Sequence, residues 1–103
     1  MKTGAELISD ERKRQIEVEG WTKEHDVEHI DGSLAFAAVC YAIPSAYRNY
    51  SYCPLRKENL PDLWPWDKEW WKPTPENRIK ELVKAGALIA AEIDRIQNLD
   101  NKD

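Results

Sequence analysis

Ten consecutive residues, Leu34-Ala35-Phe36-Ala37-Ala38-Val39-Cys40-Tyr41-Ala42-Ile43, carry no charged side chain, and Pro44 ends the run. The run is half the ~20 residues that a membrane helix needs. Asp31 or Ser33 can cap its start, and the proline closes it, so it reads as a short helix. A helix without a polar face must be surrounded by other elements, which makes this segment the expected centre of the core. Its alanines let neighbours approach closely. Everything else in the chain has to be arranged around it.

Two further helices are predicted. The first runs from about Gly4 to Glu19 and is stopped by Gly20, the usual residue just past a helix end. Asp10 with Arg14 and Lys13 with Glu17 form opposite-charge pairs four apart on its outer face. Its inner stripe is Ala5, Ile8, Arg12, Gln15, Ile16 and Glu19, which is half polar. The third helix starts at Thr74-Pro75-Glu76, with Thr74 as cap, Pro75 in the first helical position and Glu76 at the positive end of the dipole. Ile79, Leu82, Val83, Gly86, Ile89, Ala90, Ile93 and Ile96 follow helical spacing along it, while Ala85, Leu88 and Ala91 open a second apolar face. Two apolar faces on one helix of a chain of 103 residues point to a homo-oligomer assembled through that helix. The tail from about Asn98 is polar.

The thirty residues from Pro44 to Pro73 hold five of the six prolines and four of the five tryptophans, with no strand pattern. A loop this long inside a small domain is usually functional or packed on itself. The expected fold is therefore all-α: a single helical domain over residues 1–103, with three to four helices and a long Trp/Pro-rich loop between the second and third main helices.

Lys and Arg number 15 against 19 Asp and Glu, a net charge of -4, which argues against duplex DNA as a partner because such affinity rests on cations. A small anionic ligand held by a few cations remains compatible. The start of the chain lacks the apolar stretch of a signal peptide, and no segment is predicted to enter a membrane. Cys40 and Cys53 have no metal-site spacing and read as reduced thiols, so a cytoplasmic location is expected.

Four groups of residues could carry chemistry. Arg12, Gln15 and Glu19 lie one per turn on the inner face of the first helix, either as a ligand site or as a polar network that sets helix register; Arg offers a planar fork for phosphate, and Gln both a donor and an acceptor. His25-Asp26-Val27-Glu28-His29 has zinc-protease spacing, but its surroundings are polar and a third ligand would have to be a carboxylate. Glu19, Asp26 and Asp31 on one side and Glu92 with Asp94 on the other are raw material for Mg²⁺, although Glu92 and Asp94 point differently on a helix. Trp64-Pro65-Trp66 and Trp70-Trp71-Lys72-Pro73 offer stacking surfaces with Lys72 and Arg78 nearby to meet phosphates; most of these tryptophans are expected to staple the loop down and one or two to border a pocket. No pattern for covalent catalysis is present.

The string Glu11-Arg12-x-x-Gln15-x-x-x-Glu19-Gly20-Trp21-Thr22-x-Glu24-His25-Asp26, followed by His29, Gly32, Leu34, Ala37-Ala38 and Tyr41-Ala42, resembles a family of small bacteriophage and prophage proteins. So does the stretch with Trp64-Pro65-Trp66, Trp70-Trp71-Lys72-Pro73, Arg78 and Leu82-Val83-Lys84-Ala85-Gly86-Ala87-Leu88-Ile89. More distantly, the helical plan is similar to MazG-like nucleotide pyrophosphohydrolases. The phage family's pattern has Asp-Asp after the histidine and Gly-Glu-Leu at the second helix, where this chain has Asp26-Val27 and Gly32-Ser33-Leu34. Two acids are thus missing where a metal would sit.

The resemblance and the residues together imply a non-catalytic binding protein for a nucleotide-like small molecule in the cytoplasm of a bacterial host, for instance one that sequesters a nucleotide signal of host immunity. Arg12, Gln15, Lys72 and Arg78 would grip phosphates or base edges, Trp21, Trp66 or Trp70 would stack, and Glu19 and His25 would complete the site; no cofactor is expected. The alternatives are a Mg-dependent hydrolase of nucleoside triphosphates, with Glu19, Asp26 and Glu92 as ligands, and a protein–protein inhibitor using the Trp-rich loop.

Overall fold

The structure is a computed structural model that describes residues 1–18, 32–49, 54–56 and 60–100. Helix α1 spans Gly4–Glu17 and opens on a capping box: the Glu6 N–H donates to Thr3 Oγ1 at 3.2 Å, and the Thr3 N–H donates to Glu6 Oε1 at 2.9 Å. Helix α2 spans Ser33–Ala42 and helix α3 spans Arg78–Asp100. Between them lie two single-turn 3-10 segments, Ser45–Tyr47 and Lys68–Trp70. A two-stranded antiparallel pairing of Leu55–Arg56 with Leu60–Pro61 also forms there, although no strand pattern was expected. The fold is a small all-α domain.

Both expected caps of the later helices differ. Among the described residues no side chain caps α2; Gly32 takes its N-cap position in the left-handed conformation at φ 79°, which glycine reaches without a Cβ penalty, and Asp31 lies outside the described residues. At α3 the Thr74-Pro75-Glu76 start is a turn, closed by the Asn77 N–H donating to the Thr74 carbonyl at 2.8 Å. Proline suits the second position of such a turn as well as it suits a first helical residue. The cap is Asn77, whose Oδ1 accepts from the Lys80 N–H at 3.2 Å.

The core joins α2, the loop and α3 through Leu34, Ala37, Ala38, Cys40, Tyr41, Trp64, Ala85, Leu88 and Ala91. The small side chains of both helices let them pack closely. Helix α2 is not surrounded as its composition suggested: Phe36 and Val39 remain 46% and 42% exposed. One helix and part of the loop cover one side of it, where Ala37 and Ala38 are buried, while Ala35 and Ala42 on the other side need little cover. Helix α3 also carries α1, and at the crossing Gly86 lies under Ile8, whose Cδ1 would be 2.5 Å from any added Cβ.

The carboxyl end of α2 has no basic residue of its own. Two distant arginines supply one. Arg48 donates to the Cys40 and Tyr41 carbonyls at 3.1 and 3.2 Å, and Arg78 donates to the Tyr41 carbonyl at 2.9 Å and to that of Ala42. Both guanidiniums also meet the buried Glu81 carboxylate, at 3.0 and 3.2 Å. Orphan carbonyls and the negative end of the helix dipole are thereby satisfied together.

Candidate ligand cleft

Gln15 is 1% exposed, and its Oε1 makes no hydrogen bond among the described residues. Leaving a buried acceptor unpaired costs about 1–3 kcal/mol, so the position asks for an explanation. The half-polar inner stripe of α1 puts it there: at helical spacing, turning Ile8 onto Gly86 also turns Gln15 inward.

Around this amide lies a cleft with a cavity volume of about 70 Å³. Helix α1 contributes Glu11, Arg14 and Gln15, α2 contributes Tyr41, and α3 contributes Lys84 and Leu88. The loop contributes Trp64, Trp66, Trp70 and Lys72. The volume admits the edge of one ring, leaving the rest of any larger ligand at the mouth, since sites that enclose drug-sized molecules run to about 300–1,000 Å³.

The aromatic wall is built from the core outward. Trp64 is buried and donates from Nε1 to the Asp67 carbonyl at 3.1 Å. Trp66 meets it edge-on at 5.3 Å, while Trp71 packs between Trp64 and Tyr41 at 5.0 and 4.8 Å. Trp70 is 59% exposed and free of these ring contacts among the described residues. Tyr41 ties the loop to the core by accepting from the Lys72 N–H at 3.1 Å. Burial pushes its phenol up to about 12, so it stays neutral. The Lys84 ammonium sits 5.0 Å from the Tyr41 ring and that of Lys72 5.9 Å from the Trp70 ring, so the rim carries cations over aromatic faces. Glu11 is bound by Arg14 through two contacts at 2.7 and 2.8 Å.

Of the residues singled out in the sequence, Gln15, Trp66, Trp70 and Lys72 come together here. Arg12 does not line the cleft; it is buried and pairs with Asp94 at 3.2 Å. Nor does Arg78, which is spent on the α2 carboxyl end. Glu92 takes Arg95 Nε at 2.6 Å, away from any cluster of acids. Glu19, Trp21, His25 and Asp26 lie outside the described residues, as do His29 and Asp31. Among the described residues no group of three or more His, Cys, Asp or Glu could hold a metal ion, and no helix is long and apolar enough to cross a membrane.

Sequence reasoning missed Tyr41, Lys84 and the pair of Glu11 with Arg14. Signals existed: Tyr41 is the one hydroxyl in the apolar run, and Lys84 is four residues before the core residue Leu88 on the same helix face. Compared with protein-family models, with curated proteins and with solved structures, the chain matches none.

Proposed function

We propose that the protein is a non-catalytic binder of a nucleotide-like small molecule, held with a ring edge against Gln15. The buried Gln15 Oε1, unpaired among the described residues and on a side chain that lines the cleft, carries this reading. A heterocyclic N–H would satisfy it, as amides do when they read base edges. Trp66 and Trp70 offer faces for stacking, worth about 1–3 kcal/mol per base. Lys72 and Lys84 at the rim suit an anionic group lying at the mouth. These are groups that hold a ligand, and the acid beside them, Glu11, is already bound by Arg14. A carrier of this kind would deplete a nucleotide signal without turning it over, in keeping with the resemblance to phage proteins and with a role against host immunity.

The test is calorimetry of the purified protein against a panel of nucleotides with and without Mg²⁺, followed by heat denaturation and analysis of the released ligand. Recovery of intact ligand is expected. Gln15→Leu is expected to weaken binding at least tenfold while leaving the melting temperature unchanged or raised, because an unpaired acceptor is replaced by an apolar group. Trp70→Ala is expected to weaken it by a similar factor through lost stacking. Product formation would move the protein to the hydrolase class, and absence of binding by every nucleotide would end the proposal.

A further inference from the structure

Helix α3 leaves its isoleucine stripe outside. Ile79, Leu82, Ile89, Ile93 and Ile96 are 67%, 47%, 50%, 51% and 45% exposed. With Gly86 they repeat at alternate steps of three and four, the spacing of a two-helix seam. Gly86 is no gap in the stripe, because the side chain of Ile8 fills the space beside it. At 100° per residue the centre of the stripe lies about 130° round α3 from Leu88, which lines the cleft.

We infer that this stripe is the surface on which two copies of the chain pair, antiparallel and about a two-fold axis. A second copy is the occupant the pattern fits. With the axis between Gly86 and Ile89, Ile79 falls on the partner's Ile96, Leu82 on the partner's Ile93, and Ile89 on the step formed by the partner's Gly86 and Ile8. Every member of the stripe then finds an apolar counterpart in the same stripe, as a two-fold interface requires. The flanking positions Val83, Ala85 and Ala90 carry no charge to repel a like chain. Antiparallel pairing also opposes the two helix dipoles. Parallel pairing would set like beside like.

The area is of the right size. Five half-exposed aliphatic side chains leave about 450 Å² of apolar surface per copy. Stable pairs bury about 800 Å² per partner, roughly two thirds of it apolar in homodimers. The stripe supplies most of that share, and the half-buried Ile8, Val83 and Ala90 lie at its margin.

Size-exclusion chromatography with light scattering on the full chain at micromolar concentration tests this. A dimer is expected, with Ile89→Glu converting it to a monomer of unchanged far-ultraviolet circular dichroism. Val18→Glu, at a position 73% exposed but outside the stripe, is expected to leave the dimer intact. Mixing Ile79→Cys and Ile96→Cys chains under mild oxidation should give the 79–96 disulfide, identified by mass spectrometry. A monomeric wild type overturns the inference and gives the stripe another cover, and so does an oligomer indifferent to Ile89→Glu. A 79–79 disulfide in preference to 79–96 overturns the antiparallel pairing.

Discussion

Glu81 is 1% exposed and accepts from Arg48, from Arg78 and from the Thr74 N–H at 3.1 Å. Burial alone would raise its carboxyl; the bond and charge of Arg48, then Thr74 and Arg78, outweigh that and hold it below the ordinary 4.5. A folded value below the unfolded one stabilises the protein above the unfolded value, and the contribution is lost as pH falls through the folded one. The protein is therefore expected to lose thermal stability on acidification below the ordinary carboxylate range. Glu81→Gln should be less stable at neutral pH by about 3 kcal/mol, since it strands two buried or half-buried guanidiniums, and should show a flatter acid limb. Melting curves from neutral pH down to about pH 3 check both; parallel curves for the two proteins would assign the acid loss to other carboxylates. Gln15 makes the contrast at the same scale. Its inward position follows from helical period, but that its acceptor is unpaired depends on neighbours from three other segments.

At the scale of elements, two local rules compete at the start of α3. Thr74 and Asn77 are both good caps, and it is Asn77 whose side chain reaches an N–H of the first turn. Asn77→Ala is expected to cost about 1 kcal/mol in denaturant unfolding, more than Thr74→Ala, whose hydroxyl only donates to the Asn77 carbonyl at 3.4 Å. A second contest lies at Gly86. Alanine there would gain about 1 kcal/mol in helix propensity, but its Cβ would come within 2.5 Å of Ile8 Cδ1 and 2.8 Å of its Cγ1. Overpacking costs about 1–3 kcal/mol, so Gly86→Ala is expected to destabilise the protein on balance. Adding Ile8→Ala should recover much of the loss, making the double variant more stable than the summed single effects. Additive effects in a denaturant series would mean that α1 and α3 do not meet at this glycine.

The molecule as a whole measures 42 × 36 × 21 Å with a radius of gyration of 14.1 Å, a little above the ~13 Å of a compact chain of this size. It is a thin slab, and a slab leaves one side of its longest helix uncovered. The described helices, their order and the long loop between α2 and α3 were legible in the sequence, because apolar spacing and prolines act within a few neighbours, whereas the caps of α2 and α3 were not. The two apolar faces of α3 and the inward turn of Gln15 were legible too. The tertiary structure alone decided which face went inside. Ala85, Leu88 and Ala91 did, because small side chains opposite Ala37 and Ala38 allow close helix packing, and the bulkier isoleucines were left outward. It also divided the cations: Lys72 and Lys84 line the cleft, whereas Arg12 and Arg78, equally eligible by type, are held by Asp94 and by the end of α2. Periodicity defines faces relative to a helix's own axis. What each face meets lies tens of residues away, and only the packed chain brings it near.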